Sequence, residues 1–328
     1  MKTLAIETSC DETALALVDA KDQGEDSEFK ILAEAVASQI KIHRPFGGVV
    51  PHLAKREHEK NLPIMLEEIK SQVNDFTPDQ IAVTVGPGLE PALWPGINFA
   101  QELAEKMNLP LIGVNHLEGH VFSNWLENSK QIKFPAIVLV ISGGHTILLL
   151  MEGINKWKKL GETRDDAVGE AFDKVARMLD LPYPGGPEIE KMAHEGNPKA
   201  IKFPRPMIHD KNYDFSFSGL KTSVLYHLRD NKKDVADVSA SFQEAAFDVL
   251  AKKTLKAVEE FNAKSILLCG GVAANKTLQN RFAKIAEEEG LNFSVPQLKY
   301  NTDNGVMIAV AAHLGKNFPI KADSSLNL

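Results

Sequence analysis

The sequence predicts an α/β chain whose two halves repeat one order of elements. Three observations carry this expectation. Two segments, 4–19 and 137–151, read as strand, short polar turn and strand, with alternating rather than helical apolar spacing. Each half later shows an apolar strand ending in glycine, a helix, a second strand and a polar stretch opening another helix. The spacing agrees as well, with 30 positions from Gly86 to His116 and 33 from Gly270 to Asp303.

In order, 4–7 is a strand, 8–12 a hydroxyl-rich acidic turn and 13–19 a strand. The acidic stretch 21–30 reads as a solvated hairpin tip. A strand at 81–85 meets Gly86-Pro87-Gly88, followed by a helix over 96–107. Pro95 suits its first turn, where a missing N–H has no intrahelical acceptor, and Trp94 just ahead is a candidate interface anchor. The strand 111–114 then leads into Asn115-His116. The second half repeats this with a hairpin at 137–141 and 146–151 around Ser142-Gly143-Gly144-His145, a strand at 265–269, Gly270-Gly271, a helix over 274–289, a strand at 292–296 and the polar stretch 301–304. Between Ser142 and Gly270 lie 128 positions, against 77 between Ser9 and Gly86, which places an insertion at about 161–223. Within it, 165–179 reads as an amphipathic helix stopped by Tyr183-Pro184-Gly185-Gly186-Pro187, and 215–221 alternates like an edge strand. The tail after Pro319 reads as frayed.

A length of 328 residues suits about two domains. Apolar residues at 44% and charged residues at 25% exclude bulk disorder and a fibrous chain. No run approaches a membrane span, and Glu7 interrupts the start before a secretory h-region develops, so a cytoplasmic protein without membrane attachment is expected. The net charge of −7 argues against non-specific nucleic-acid coating. Local basic clusters stand at Lys41, His43, Arg44, Lys55 and Arg56, and at Lys202, Arg205, Lys211 and Lys221. Cys10 and Cys269, with no Cys-x-x-Cys, read as small buried apolar residues rather than a disulfide or zinc framework.

His116 and His120 have the i, i+4 spacing that places two imidazoles on one helix face, a chelating arrangement. Glu118 would lie about 200° round the helix from His116, which argues against a metallopeptidase base. If the halves are related by duplication, Asp303 matches His116 in position and would face the same interdomain cleft. Two His and one carboxylate suit iron(II) or zinc. The competing reading of Asp303 is a helix N-cap. Ser142-Gly143-Gly144-His145 and Gly270-Gly271-Val272-Ala273-Ala274-Asn275 are glycine turns whose N–H groups can approach an anion or nucleotide, or are simply turns.

Taken together with Glu7-Thr8-Ser9-Cys10-Asp11-Glu12-Thr13, Gly47-Gly48-Val49-Val50-Pro51, Asn115-His116-Leu117-Glu118-Gly119-His120, Gly169-Glu170-Ala171-Phe172-Asp173-Lys174 and Phe217-Ser218-Gly219-Leu220-Lys221-Thr222, these motifs resemble the TsaD family of tRNA adenosine threonylcarbamoyltransferases, in order from residue 3 to about 312. The resemblance implies the actin/Hsp70/sugar-kinase (ASKHA) fold, two RNase-H-like lobes around a central cleft. The expected lobes are 1–115 with about 304–328, and 116–303. It implies one divalent metal, iron(II) first and zinc second, on His116, His120 and Asp303. It also implies a threonylcarbamoyl-AMP seat made by Val140, Ile141, Ser142, Gly143, Gly144, Asp173, Gly186, Asn275 and Glu190. The last looks like a ligand in archaeal and eukaryotic relatives and is often absent from bacterial ones. Pro91, Trp94 and Pro95 depart from the small or aliphatic residues usual there.

The implied reaction is transfer of threonylcarbamoyl from its adenylate to the exocyclic amine of the adenosine adjacent to the tRNA anticodon. Asp11, Glu12 and His145 are the acid/base candidates, with no choice among them. Implied partners are tRNA, threonylcarbamoyl-AMP, ATP or AMP, and accessory proteins like TsaB and TsaE. An ATPase or sugar kinase on the same fold is the alternative.

Overall fold

The computed structural model describes residues 1–22, 26–231 and 233–328, so the centre of the loop expected at 21–30 lies outside the described residues. The chain divides into two compact units, Met1–Lys130 with Pro296–Leu328, and Gln131–Val295.

The first unit opens with β1 (Lys2–Glu7), β2 (Glu12–Lys21) and β3 (Glu28–Ser38). It continues through α1 (Ile40–His43), α2 (Pro51–Ser71), β4 (Gln80–Gly86), α3 (Glu90–Met107), β5 (Leu111–Asn115), α4 (His116–Phe122) and α5 (Trp125–Asn128). Its sheet runs β3-β2-β1-β4-β5. β1 pairs antiparallel with β2, Ile6 opposite Leu15, and parallel with β4, Ile6 opposite Val83. Leu4, Ala5 and Ile6 are fully buried, as expected of a central strand covered on both faces, where a continuous apolar run replaces alternation. Leu62, Met65 and Ile69 of α2 and Leu93, Ile97 and Ala100 of α3 share one core with the β1 and β4 side chains.

The second unit holds β6 (Ala136–Ile141), β7 (Thr146–Gly153), β8 (Lys156–Glu162), α6 (Val168–Met178), α7 (Gly185–Ala193), α8 (Ser218–Asp230), α9 (Val235–Phe261), β9 (Ser265–Cys269), α10 (Lys276–Glu288) and β10 (Asn292–Ser294). Its sheet order is β10-β9-β6-β7-β8, the first unit's order read from the other edge. Each unit thus has an antiparallel hairpin, a third strand beside it, and two later strands added in parallel. The expected repeat is therefore present in the topology. Phe172 anchors the second core edge-on to Phe242 (4.9 Å between centroids) and stacked on Phe247 (5.9 Å). Burying each such ring is worth about 1.5–3 kcal/mol.

α11 (Leu298–Asn301) and α12 (Gly305–Leu314) return to the first unit. The units therefore divide after 130 and 295, not at 115/116 and 303/304. The reason lies at Gly119, where a Cβ would press on Ile308 and Met307 of α12, and at Glu118, whose carboxylate accepts the Lys316 N–H at 3.1 Å. Both tie α4 to the C-terminal segment of its own unit.

Other local expectations are also corrected. α3 begins at Glu90 with Pro91 in its first turn, so Pro95 lies inside the helix. Phe215 makes only an isolated bridge to Thr163, and Ser218 already opens α8, so 215–221 is not a strand. Asp165 organises that entry by accepting from Phe217 N–H (2.8 Å), Ser216 Oγ (2.6 Å) and Ser218 Oγ (2.6 Å). The tail is docked rather than frayed: Phe318 N–H donates to Gly113 and Asp323 N–H to Val85. β3, an edge strand with intermittent burial, begins at Glu28, so residues 28–30 of the stretch expected as a hairpin tip are paired strand.

Candidate active site

Asn115 caps α4, its side-chain oxygen accepting from Leu117 N–H (2.8 Å) and Glu118 N–H (3.4 Å). The helix therefore starts at His116, and His120 stands one turn on. Asp303 comes from the turn before α12. Its Oδ1 lies 3.6 Å from His116 Nε2 and 3.3 Å from His120 Nε2, and ligand atoms of all three residues lie within 4.8 Å of one another. Two ligands bound at about 2.0–2.2 Å in tetrahedral array are about 3.3–3.6 Å apart, so the spacing fits a metal. Both ring nitrogens of His120 are buried and make no hydrogen bond among the described residues. The His120 Nε2 has only the Asp303 carboxylate at 3.3 Å before it, and a cation held between the two would satisfy both. The residues present fit the group. Asp303 is not the helix cap, because Asn304 caps α12 by accepting from Met307 N–H at 2.9 Å.

Behind His116 stands Glu7, fully buried at the end of β1. Its Oε2 accepts the His116 Nδ1–H at 3.0 Å and Thr84 Oγ1–H at 2.6 Å, while Oε1 accepts Ser9 N–H at 2.5 Å. A carboxylate can only accept, so Nδ1 carries a proton in this bond and Nε2 is the atom that faces Asp303. Burial lowers the His116 imidazole, but the Asp303 and Glu7 carboxylates outweigh it and push it up to about 9. Burial, helped by the His116 charge, pushes His120 down. The motif containing Glu7 does not by itself show this role; an acidic residue closing an otherwise apolar strand is the signal for it in the sequence.

Asp11 and Glu12 follow in the β1–β2 turn. Burial, then the charges of Asp11 and Asp303, push the Glu12 carboxyl up to about 10. Ser38 Oγ donates to Glu12 Oε1 at 3.1 Å. Glu118 is buried away from the three ligands against Lys316, and burial pushes it up to about 7.

In the second unit the expected adenylate residues form one connected group. Val140 and Ile141 end β6 with sealed side chains, leaving only backbone to meet a ligand. The following turn is closed by Ser142 N–H to His145 O (2.9 Å) and His145 N–H to Ser142 Oγ (3.1 Å). The start of α6 abuts it, since a Cβ on Gly169 would strike the Ser142 carbonyl. Asp173 on α6 accepts the Gly185 N–H at 2.7 Å, Glu190 on α7 accepts the Lys276 N–H at 2.7 Å, and Asn275 caps α10 through Leu278 N–H (3.0 Å) while donating to Gln243 (2.9 Å). Gly270, at φ +92°, passes so close to the Ile141 backbone that no side chain fits. Gly143, Gly144, Gly186 and Gly271 differ: a Cβ on any of them would meet nothing within 4 Å, and none has positive φ. Neither packing nor backbone conformation demands glycine there, whereas a ligand resting on bare backbone does.

Each basic cluster has members engaged inside the protein. His43 is buried, Arg205 bonds Asp248 at 2.8 Å, and Lys221 pairs with Asp166 at 2.5 Å. Trp94 packs half-buried on the first unit's core, with Nε1 3.5 Å from Glu90. Cys269 is buried and Cys10 half-buried, and both are free thiols. No helix among the described residues is long and apolar enough to cross a membrane.

Residues 30–310 match the family model TsaD, tRNA N6-adenosine threonylcarbamoyltransferase. Proteins named tRNA N6-adenosine threonylcarbamoyltransferase from Thermosipho melanesiensis and Fervidobacterium nodosum are 49% and 50% identical, each over 95% of this chain and over 94% and 92% of their own lengths. One from Bacillus thuringiensis is 46% identical over 99% of this chain and 94% of its own. Among solved structures, HypF of T. kodakarensis superposes at TM-score 0.65 with 16% identity over 95% of this chain and 47% of that one. The activator of 2-hydroxyisocaproyl-CoA dehydratase from Clostridium difficile reaches 0.51 with 13% identity over 95% and 94%. These share the fold, which is of the ASKHA type.

Proposed function

The chain belongs to the TsaD family of tRNA N6-adenosine threonylcarbamoyltransferases, and from that premise we propose how its residues divide the work. It is a transferase that modifies tRNA, joining a threonylcarbamoyl group to N6 of an adenosine. In the proposal the acceptor is the adenosine adjacent to the anticodon and the donor is threonylcarbamoyl-AMP. The N6 amine attacks the carbamoyl carbon, the bond to the phosphate oxygen breaks, and AMP leaves.

An adenine amine is a feeble nucleophile because its lone pair is delocalised into the ring. A divalent ion held by His116, His120 and Asp303 would act as a Lewis acid on substrate oxygens. The observation that carries this assignment is the convergence of the buried His116 and His120 Nε2 atoms on Asp303 Oδ1, at 3.6 and 3.3 Å. Glu7 holds His116 in the ligating tautomer. Iron(II) and zinc both suit two imidazoles and a carboxylate.

The adenylate is assigned to the backbone of Val140, Ile141, Ser142, Gly143 and Gly144 for anionic oxygens, and to Asp173, Gly186, Glu190 and Asn275 for the nucleoside. The four open glycines of the second unit support this seat. Asp11, Glu12 and His145 are the acid and base candidates for the amine proton, and burial beside Asp11 pushes the Glu12 carboxyl up. Accessory proteins like TsaB and TsaE, and a cytoplasmic setting, belong to the same proposal.

The test is to incubate purified protein with threonylcarbamoyl-AMP and tRNA, with and without cell extract, then digest the tRNA and quantify threonylcarbamoyladenosine. Modification abolished by removing the metal and restored by iron(II) or zinc supports the assignment. Full activity of metal-free His120→Ala overturns it.

A further inference from the structure

We propose that Gln39, His43 and His58 form a buried hydrogen-bond relay that positions the Cys10-Asp11-Glu12 turn for the transfer reaction. The inference rests on the reading above that Asp11 and Glu12 handle the proton, and it gives a task to the Gly47-Gly48-Val49-Val50-Pro51 motif, which that reading left unused.

Gln39 is 1% exposed, and His43 and His58 are fully buried. At one end Val50 N–H donates to His43 Nδ1 at 3.2 Å. His43 Nε2 meets Gln39 Oε1 at 3.1 Å, Gln39 Nε2 meets His58 Nδ1 at 3.3 Å, and His58 Nε2 meets the Cys10 carbonyl at 3.0 Å. Every donor and acceptor follows from the two ends. A backbone N–H can only donate, so His43 Nδ1 accepts and its proton sits on Nε2. A carbonyl can only accept, so His58 carries its proton on Nε2 and accepts at Nδ1, where Thr13 Oγ1 also lies at 2.8 Å. The Gln39 amide between them is oriented independently, because its nitrogen also faces the Ala54 carbonyl at 3.4 Å. The bonds therefore run in one direction, from Val50 to Cys10.

Three successive residues of the turn are held from this corner. Cys10 is held through His58, Asp11 by Gln39 N–H on its carbonyl (2.9 Å) and Glu12 by Ser38 Oγ (3.1 Å). A buried polar network is worth keeping only when every member is satisfied, and an apolar core would fill the space at lower risk. The cost is explained if the network sets where two carboxyl groups stand.

The experiment pairs a spectroscopic and a kinetic measurement on the full chain. Long-range ¹H–¹⁵N spectra of histidine-labelled wild type at neutral pH should show both His43 and His58 as Nε2–H tautomers; an Nδ1–H tautomer at either overturns the relay, whether or not any variant folds. His58→Phe keeps the ring volume but donates nothing to Cys10, and should lower kcat about 100-fold, the scale of a small misplacement of reacting groups. Its KM for tRNA and its metal content should stay near wild type. His58→Gln can both accept from Gln39 and donate to Cys10, and should recover most of that loss. Equal impairment of the two variants, or a wild-type kcat for His58→Phe, overturns the proposal. Wild-type turnover by Asp11→Asn and Glu12→Gln would instead sink the proton-transfer reading, an outcome the tautomer spectra do not share.

Discussion

Glu7 and His116 stand 109 positions apart in sequence, yet a fully buried Glu7 Oε2 lies 3.0 Å from His116 Nδ1. The end of β1 and the start of α4 meet there because β4 lies between β1 and β5 in the sheet and α4 leaves β5 at once. The carboxylate fixes the imidazole's tautomer and raises its basicity toward a cation, as second carboxylates do behind metal-bound histidines.

Glu7→Gln should therefore weaken metal binding about 10-fold or more. Competition with a chelator of known affinity measures this without recourse to activity. Unchanged affinity would reduce Glu7 to a buried partner of Thr84 and Ser9.

Neighbouring Asp303 and Asn304 should separate cleanly. Asp303→Ala should lose metal and keep the α12 cap. Asn304→Ala removes the α12 cap and should cost about 1 kcal/mol, read from urea denaturation. Wild-type metal content in Asp303→Ala would dismiss the three-ligand site.

Asn275 serves both the fold and the proposed adenylate seat. Asn275→Ser retains a capping hydroxyl and loses only the amide that meets the buried Gln243, which should cost about 1–3 kcal/mol, less than Asn275→Ala, while affinity for the adenylate, measured by calorimetry, falls alike in both. If affinity tracks stability across Asn275→Ser and Asn275→Ala, the residue is a helix cap alone.

The Asp165 carboxylate makes stability pH-dependent in one direction. Burial alone would raise it, but the Ser216, Ser218 and Phe217 donors together hold it below the usual range. A depressed folded value means that its stabilisation is full above the unfolded value and is lost as pH falls through the folded one. Asp165→Asn should be less stable than wild type at pH 7, and the two urea midpoints should converge in acid below that window. Parallel midpoints throughout would show that the carboxylate charge contributes nothing.

The sequence by itself determined the repeated plan of the two units, both hairpins, the glycine turns and the one-turn spacing of His116 and His120. These follow from local rules, since side-chain period, turn residues and helix pitch act within a few neighbouring positions. Similarity of motif order also carried the reading to the family. Local rules could not say that Asn304 rather than Asp303 caps α12, that Pro95 lies within α3, or that α4 stays with the C-terminal segment. Nor could they pair Glu7 with His116 or join His43 to His58 through Gln39. Only the tertiary structure decided these, because each depends on sheet register and helix packing that bring distant residues within hydrogen-bond reach. There the burial of a polar group, and the need to satisfy it, selects one partner among many of suitable chemistry.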